Sequence, residues 1–404
     1  MWTRQFVSAG LLPAFFVVAT PARAENKVEL VQTSDNIPEA NLLDVDVLAF
    51  EPGLSDERAL RKLRKAGISP EVRKAEALYI PIHLARTLQK TGFWGAVRVG
   101  PAASIDDLTI SGAISSSTGA ELEVDIRVID SRGMVWLDKQ YKSKADASVY
   151  NVRHIADDPF QELYNRIAND LIARRRKIDQ KDVTRIREIT LLRFAADLAP
   201  APFTNYLVSA RDRYSVARLP AQGDPMMARI ERLRLRDRML IDTLDSYYAN
   251  FYSQMQEAYG SWRSQDYWRR EAMKRSSARR SYRGGSGAMG NGAGSSLVPF
   301  PTDGNTPGVG VGPECGTSQL FPGGGAANSW ERQEESKRID HLAVLRELGA
   351  SLASDMAPLL IEVEGKVLRL TGSADTVYAR WRELLRELFA TETGLPVVAA
   401  GPTN

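Results

Sequence analysis

Three runs of alternating side chains between residues 103 and 147 constrain this chain more than any other feature. Leu108 and Ile110 alternate with Thr109 and Ser111. Leu122, Val124, Ile126 and Val128 alternate with Glu123, Asp125 and Arg127, and Val135 and Leu137 flank Trp136. A period of two with β-branched residues describes strands that bury one face. The breaks, Ser115 to Gly119 and Asp130 to Gly133, are rich in turn formers. An antiparallel meander follows from this pattern, and it specifies a fold rather than a chemistry.

The flanks extend the domain. Residues 25–43 are polar and expected to be loose, and 45–50 form a strand ended by Glu51-Pro52-Gly53. The basic run 57–65 reads as a solvated helix face. A helix then starts at Ser69-Pro70-Glu71, where serine caps, proline fits the first turn and glutamate suits the dipole. It runs through Ala77, Ile80, Leu84 and Leu88 to Thr91-Gly92, with Pro81 inside expected to kink or split it. Residues 94–99 give a second strand. After the meander, Asp157-Asp158-Pro159 caps a helix whose face is Phe160, Leu163, Ile167 and Leu171. Arg174 to Lys177 close it, complementing the helix dipole.

The phrases LARTLQKTGFWGAVRV, DLTISGAI, ELEVDIRVID and GMVWLDKQY, followed by that amphipathic helix, carry a resemblance. Residues 44–177 resemble the envelope α/β domain shared by curli-secretion proteins, the amino-terminal domain of TolB and the outer-membrane activators of penicillin-binding proteins. The resemblance implies an assembly or docking module without catalysis. This chain lacks the lipidated cysteine of the lipoprotein members.

The first 24 residues read as a secretory signal, with Arg4, a short apolar core from Leu11 to Ala19, and Ala22-Arg23-Ala24 as the cleavage site. A periplasmic protein is expected. A single cysteine, Cys315, excludes a disulfide framework within the monomer. With 404 residues and a net charge of +3, the chain has material for more than one core and no overall polyanion-binding character.

Residues 178–283 are expected to be helical. From Met226 to Tyr259, the positions Ile230, Leu233, Leu240, Leu244, Tyr247, Phe251, Met255 and Tyr259 form a stripe that suits a helical hairpin or the coiled-coil seam of an oligomer. The basic aromatic end follows: residues 261–283 hold eight Lys or Arg against two acids. Within it Trp262, Arg263, Tyr267, Trp268, Arg269, Arg270, Lys274 and Arg275 are the candidate contact residues for an anionic surface or acidic partner. Residues 284–328 form a Gly/Ser/Pro linker expected to be disordered. Residues 329–396 read as a helix, a hairpin turning at Glu364-Gly365-Lys366, and a helix capped by Ser373 and stopped by Gly394. Its VEGKVLRLTGSA phrase resembles the small α/β modules related to BON domains, a likeness of topology only.

The whole is α+β: a signal at 1–24, an α/β domain at 44–177, a helical region at 178–283, a linker at 284–328 and a small module at 329–396. His83, His154 and His341 lie in separate segments without a metal-ligand companion, and neither a nucleophile elbow nor a zinc-protease motif occurs. No catalytic residue, metal or cofactor is assigned. The expectation is a non-catalytic periplasmic scaffold or docking protein of the cell envelope. Its partners are expected to be envelope proteins, with a peripheral contact to anionic membrane and no nucleic acid. A helix-mediated homo-oligomer is the alternative, and an envelope-polymer hydrolase the more distant one.

Overall fold

The computed structural model describes residues 27–54, 56–65, 68–150, 158–285, 343–347, 356–363 and 366–395. The signal segment 1–24, nearly all of the linker with Cys315, most of the helix expected after Trp330, and both His154 and His341 lie outside the described residues.

The fold is α+β. A five-stranded mixed sheet has the order β2-β1-β3-β4-β5. The meander supplies β3 (Leu108–Ser117), β4 (Glu121–Asp130) and β5 (Val135–Lys144), all antiparallel. Strand β1 (Val45–Leu48) inserts parallel between β2 (Val97–Gly100) and β3. Leu122, Val124, Ile126 and Val128 point into the core as their alternation requires. The opposite face carries polar pairs such as Arg127 with Asp138 at 2.9 Å and Lys142 with Glu123 at 3.0 Å.

Helices α1 (Glu57–Lys65) and α2 (Pro70–Gln89) precede β2, and the hydroxyl of Ser69 accepts from the Glu71 amide as expected of the cap. Pro81 does not split α2. Proline at that position frees the Ala77 carbonyl four residues back, and the backbone amide of Phe50 donates to it at 2.8 Å. The break in the helix ladder is thus filled by the strand end that α2 covers.

Short α3 (Ala147–Tyr150) precedes α4 (Gln161–Arg175), which packs beside α2 and under β5. The N-terminal arm is not loose. The Asn165 amide donates to the Val28 carbonyl and the Asn169 amide to that of Glu29, each at 2.8 Å. Asn169 also accepts from the Val31 amide. Two asparagines one helical turn apart therefore fix an extended segment.

Helix α5 (Gln180–Leu198) leads into α6 (Pro200–Phe203), and the region 178–283 is not wholly helical. A hairpin of β6 (Leu207–Ala210) and β7 (Arg213–Val216) interrupts it. Its two-residue turn, Arg211-Asp212, has both φ angles positive, at 51° and 60°, the geometry of a tight hairpin loop. The tip abuts Gly133, where an added Cβ would sit 1.9 Å from the Asp212 carbonyl oxygen.

Helix α7 (Pro225–Gly285) dominates the molecule. At 61 residues it is about 90 Å long. It lies along the free edge of β2, where the Asp245 carboxylate accepts from the Val99 amide at 2.8 Å, covering an edge that would otherwise be open to pairing. The stripe of Ile230, Leu233, Leu240, Leu244, Phe251, Met255 and Tyr259 is buried within this one chain, so it is not an exposed seam for an oligomer.

The C-terminal module forms β8 (Met356–Val363), β9 (Lys366–Gly372) and α8 (Ala374–Thr393), capped by Ser373 and ended by Gly394 at φ 70°. Helix α8 docks on α5 and α7. Its buried Arg382 reaches Asp237 at 3.7 Å and also pairs with Asp197, while Tyr378 donates to Asp237 at 3.1 Å. Cleavage between residues 286 and 342 should therefore leave the C-terminal fragment bound, co-eluting with the rest on gel filtration. Asp237→Ala, which strips one partner each from buried Arg382 and Tyr378, should let the nicked fragment dissociate.

Candidate functional site

The structure divides the eight candidate contact residues. Trp262, Arg263 and Tyr267 are 5%, 1% and 8% exposed and face inward, so they cannot meet a surface. This corrects the expectation of one continuous outward face. The cause is that α7 is still packed here. A Cβ on Gly119, in the β3–β4 turn, would lie 2.0 Å from the Arg263 carbonyl oxygen, so turn and helix touch backbone to backbone. The buried Asp266 carboxylate accepts from the Gly119 amide at 3.0 Å, and Tyr150 packs on Tyr267 with ring centroids 4.8 Å apart.

The remaining five lie further out. Arg269 and Arg270 both pair with Asp266, and Lys274 pairs with Glu271 at 2.7 Å. Trp268 is 37% exposed. From Ala272 to Ala278, Arg275 included, every side chain is exposed.

Arg263 anchors a cleft between α2, α4 and α7. Its guanidinium donates to Asp158 at 2.6 Å and lies 4.0 Å from the Tyr259 ring centroid and 4.9 Å from that of Phe160. Burial alone would pull the guanidinium down, but the Asp158 carboxylate holds it well above its ordinary value. Burial alone would likewise raise Asp158, and Arg263 instead holds it below the usual carboxylate range. The pair is charged and closed. Beneath it, the buried Glu76 carboxylate accepts from Tyr259 at 2.7 Å and from Ser117 at 2.6 Å, and pairs with Arg73 at 3.0 Å.

A polar chain lines the other wall. The Tyr79 hydroxyl donates to that of Tyr252 at 3.3 Å, and Tyr252 lies 2.7 Å from His83 Nδ1. His83 Nε2 is 2.8 Å from Gln161 Oε1, and the Gln161 amide donates onward to Asn165 at 2.9 Å and Thr87 at 3.3 Å. Since those two donations fix the glutamine's oxygen toward the imidazole, His83 carries its proton on Nε2 and accepts at Nδ1. Burial lowers the His83 pKa, so the ring is neutral at pH 7. The cleft encloses about 460 Å³.

A second charged group sits where β1 and β3 begin. Asp107 accepts from Thr190 at 2.7 Å and from the Asp44 amide at 3.1 Å. Asp106 lies 3.8 Å from Arg234, and Ser104 donates to the fully buried Asp46. These carboxylates are buried, Asp107 also lining a surface recess with Arg234 and Arg238, and no group of three side chains able to hold a metal occurs among the described residues. No helix there is long and apolar enough to cross a membrane.

Comparison with known protein families, with characterised proteins and with solved structures finds no match for this chain.

The signal for the inward half was present in the pattern. Met255, Tyr259, Trp262, Arg263, Asp266 and Tyr267 continue the buried stripe at steps of three and four. The polar identity of Arg263 and Asp266 disguised it. His83 gave no signal, because its partners come from α4 and α7.

Asp158→Asn should leave Arg263 buried without a counter-charge and destabilise the protein by about 3–5 kcal/mol in urea unfolding. The double replacement Asp158→Leu with Arg263→Met should cost much less. A second expectation concerns pH. Burial lifts Asp106 to about 7 against the opposing pull of Arg234. Its unfolded value is about 3.9, so the native state holds the extra proton between the two. The contribution of Asp106 to stability should therefore be full below about pH 4 and fall away as pH rises towards 7. Asp106→Asn should flatten that fall, read as the difference in Tm between pH 5 and pH 8.

Proposed function

We propose that this chain is a non-catalytic docking protein of the cell envelope that presents the outer end of α7 to an acidic protein partner. The observation that carries the reading is the run Ala272 to Ala278, where every side chain is exposed. Packing ends at Tyr267, and the 18 residues from 268 to 285 continue the helix for about 27 Å. They contain seven Lys or Arg and one acid. Like charges four residues apart along the helix, as for Arg270 and Lys274, repel. An acidic surface would offset that cost.

The export signal and the resemblance of residues 44–177 to envelope docking domains support the same reading. Burial of the α7 stripe within this one chain favours docking over a helix-mediated oligomer built on that stripe.

The test is site-specific photo-crosslinking from Arg275 and Ser276, with exposed Gln254 on the body of α7 as control. Crosslinks to an envelope protein should form at the two outer positions, fade with rising salt because screening shortens the reach to about 8 Å, and vanish when Lys274, Arg275, Arg279 and Arg280 are replaced by Gln. Crosslinks confined to Gln254 would overturn the reading. Salt-sensitive sedimentation with phosphatidylglycerol vesicles in place of protein crosslinks would move it to the membrane.

A further inference from the structure

We propose that the cleft between α2, α4 and α7 binds a small polyhydroxylated anion, of the chemical class of a uronate or a sugar phosphate. Its volume of about 460 Å³ falls in the range of small-molecule sites, about 300–1,000 Å³. Charge selects the sign of the ligand. Three cations line the cleft, Arg86, Lys90 and Arg263, against one carboxylate, Asp158. Asp158 is consumed, since it pairs with Arg263 and its other oxygen accepts from the Phe160 amide at 2.9 Å. His83 is neutral. Arg86 and Lys90 therefore stand over the cleft with no carboxylate at ion-pair distance among the described residues, Asp245 being the acid whose field Arg86 feels.

Arg86 is held for recognition. Its guanidinium lies 4.1 Å from the Tyr252 ring centroid and makes one long bond, 3.4 Å, to the Ala249 carbonyl. That stacking fixes the plane of the guanidinium, leaving its other edge to meet a carboxylate or phosphate in fork geometry. Lys90 sits one turn further along the same face of α2 and adds a mobile point charge. Complementing the dipole at the end of α2 would account for one of these cations. Placing two of them four residues apart adds repulsion, which an anion between them would relieve.

The remaining lining selects hydroxyls. Gln89 and Gln256 stand at the rim, both exposed, and each amide offers a donor and an acceptor. The Tyr252 hydroxyl, ordered by Tyr79 and His83, adds a polar group of fixed direction to the lining. The entry to α4 also opens on the cleft through Asp158, Pro159 and Gln161, and the positive end of its dipole adds to the field.

The site is distinct from the docking end of α7. From Arg263 to Arg275 is about 18 Å of helix, so the two readings stand or fall separately. The experiment is titration calorimetry on the full chain at low ionic strength with glucuronate, glucose 6-phosphate and glucose. Either anion should bind and glucose should not, and the tighter of the two identifies the charged group as carboxylate or phosphate. Arg86→Gln and Lys90→Gln should each weaken binding at least about tenfold, the loss of one charge-assisted hydrogen bond. Lys90 is exposed and Arg86 half-buried, and an unchanged circular dichroism spectrum checks that the variants fold. Arg275→Gln should bind as the parent does. Absence of heat with both anions, equal binding of glucose, or binding unaffected by the Arg86 and Lys90 replacements would overturn the assignment.

Discussion

Buried charge fixes where α7 lies, and the rest of the molecule is arranged against α7. Arg234, Asp237, Arg263 and Asp266 are all less than a tenth exposed, and each meets a partner on a different element. Arg234 faces Asp106 ahead of β3. Asp237 meets Tyr378 and Arg382 of α8. Arg263 meets Asp158 ahead of α4, and Asp266 meets the β3–β4 turn. A helix with only an apolar stripe can slide or rotate by a residue at small cost. A helix with four buried polar anchors cannot, because any slip leaves charges unpaired in a low dielectric. Such pairs add little net stability, since desolvation opposes them. Their effect is to define one register along a helix that touches the sheet edge, α2, α5 and α8.

The same constraint decides which cations are available to a partner. Arg98, Arg234, Arg238 and Arg263 on or against the inner part of α7 have carboxylates at 3.8 Å or less. Beyond Glu271 no acid follows within α7. Asp266 and Glu271 serve Arg269, Arg270 and Lys274, and the sequence continues with Arg275, Arg279, Arg280 and Arg283. The boundary between paired and available charge falls between Lys274 and Arg275, just past the point near Trp268 where burial of the helix ends. Composition alone, eight basic residues against two acids, does not locate that boundary, because it counts Arg263 and Arg275 as equals.

The meander was legible because each of its strands reports its own geometry: alternation in β4 is a property of residues 121–130 and needs no partner to be read. The caps at Ser69 and Ser373 were legible for the same reason. The hairpin 207–216 was not, since its strands are four residues long and largely exposed, leaving no buried face to impose a period of two on apolar residues. The continuity of α2 through Pro81 was also invisible. It depends on the Phe50 amide reaching the Ala77 carbonyl, a contact between segments that sequence order does not announce.

The cleft belongs to this last category. Tyr79 and His83 come from α2, Asp158 and Gln161 from the entry to α4, and Tyr252 and Arg263 from α7. Each has an ordinary local explanation: a core aromatic, a cap, a basic residue at the end of an amphipathic stripe. Only their convergence distinguishes them. The convergence follows from α7 crossing the end of α2 at the register its buried charges set, so the fixed position of Arg263 determines which α7 side chains stand opposite His83 and Arg86. The Tyr252–His83–Gln161–Asn165 chain then ends on the Val28 carbonyl of the N-terminal arm. A neutral imidazole inside that chain keeps every donor matched to an acceptor. Protonating it would give Nδ1 a hydrogen aimed at the Tyr252 hydroxyl and turn the tyrosine's own proton away. The wall of the cleft therefore has one hydrogen-bond direction at neutral pH, running from Tyr79 to the arm.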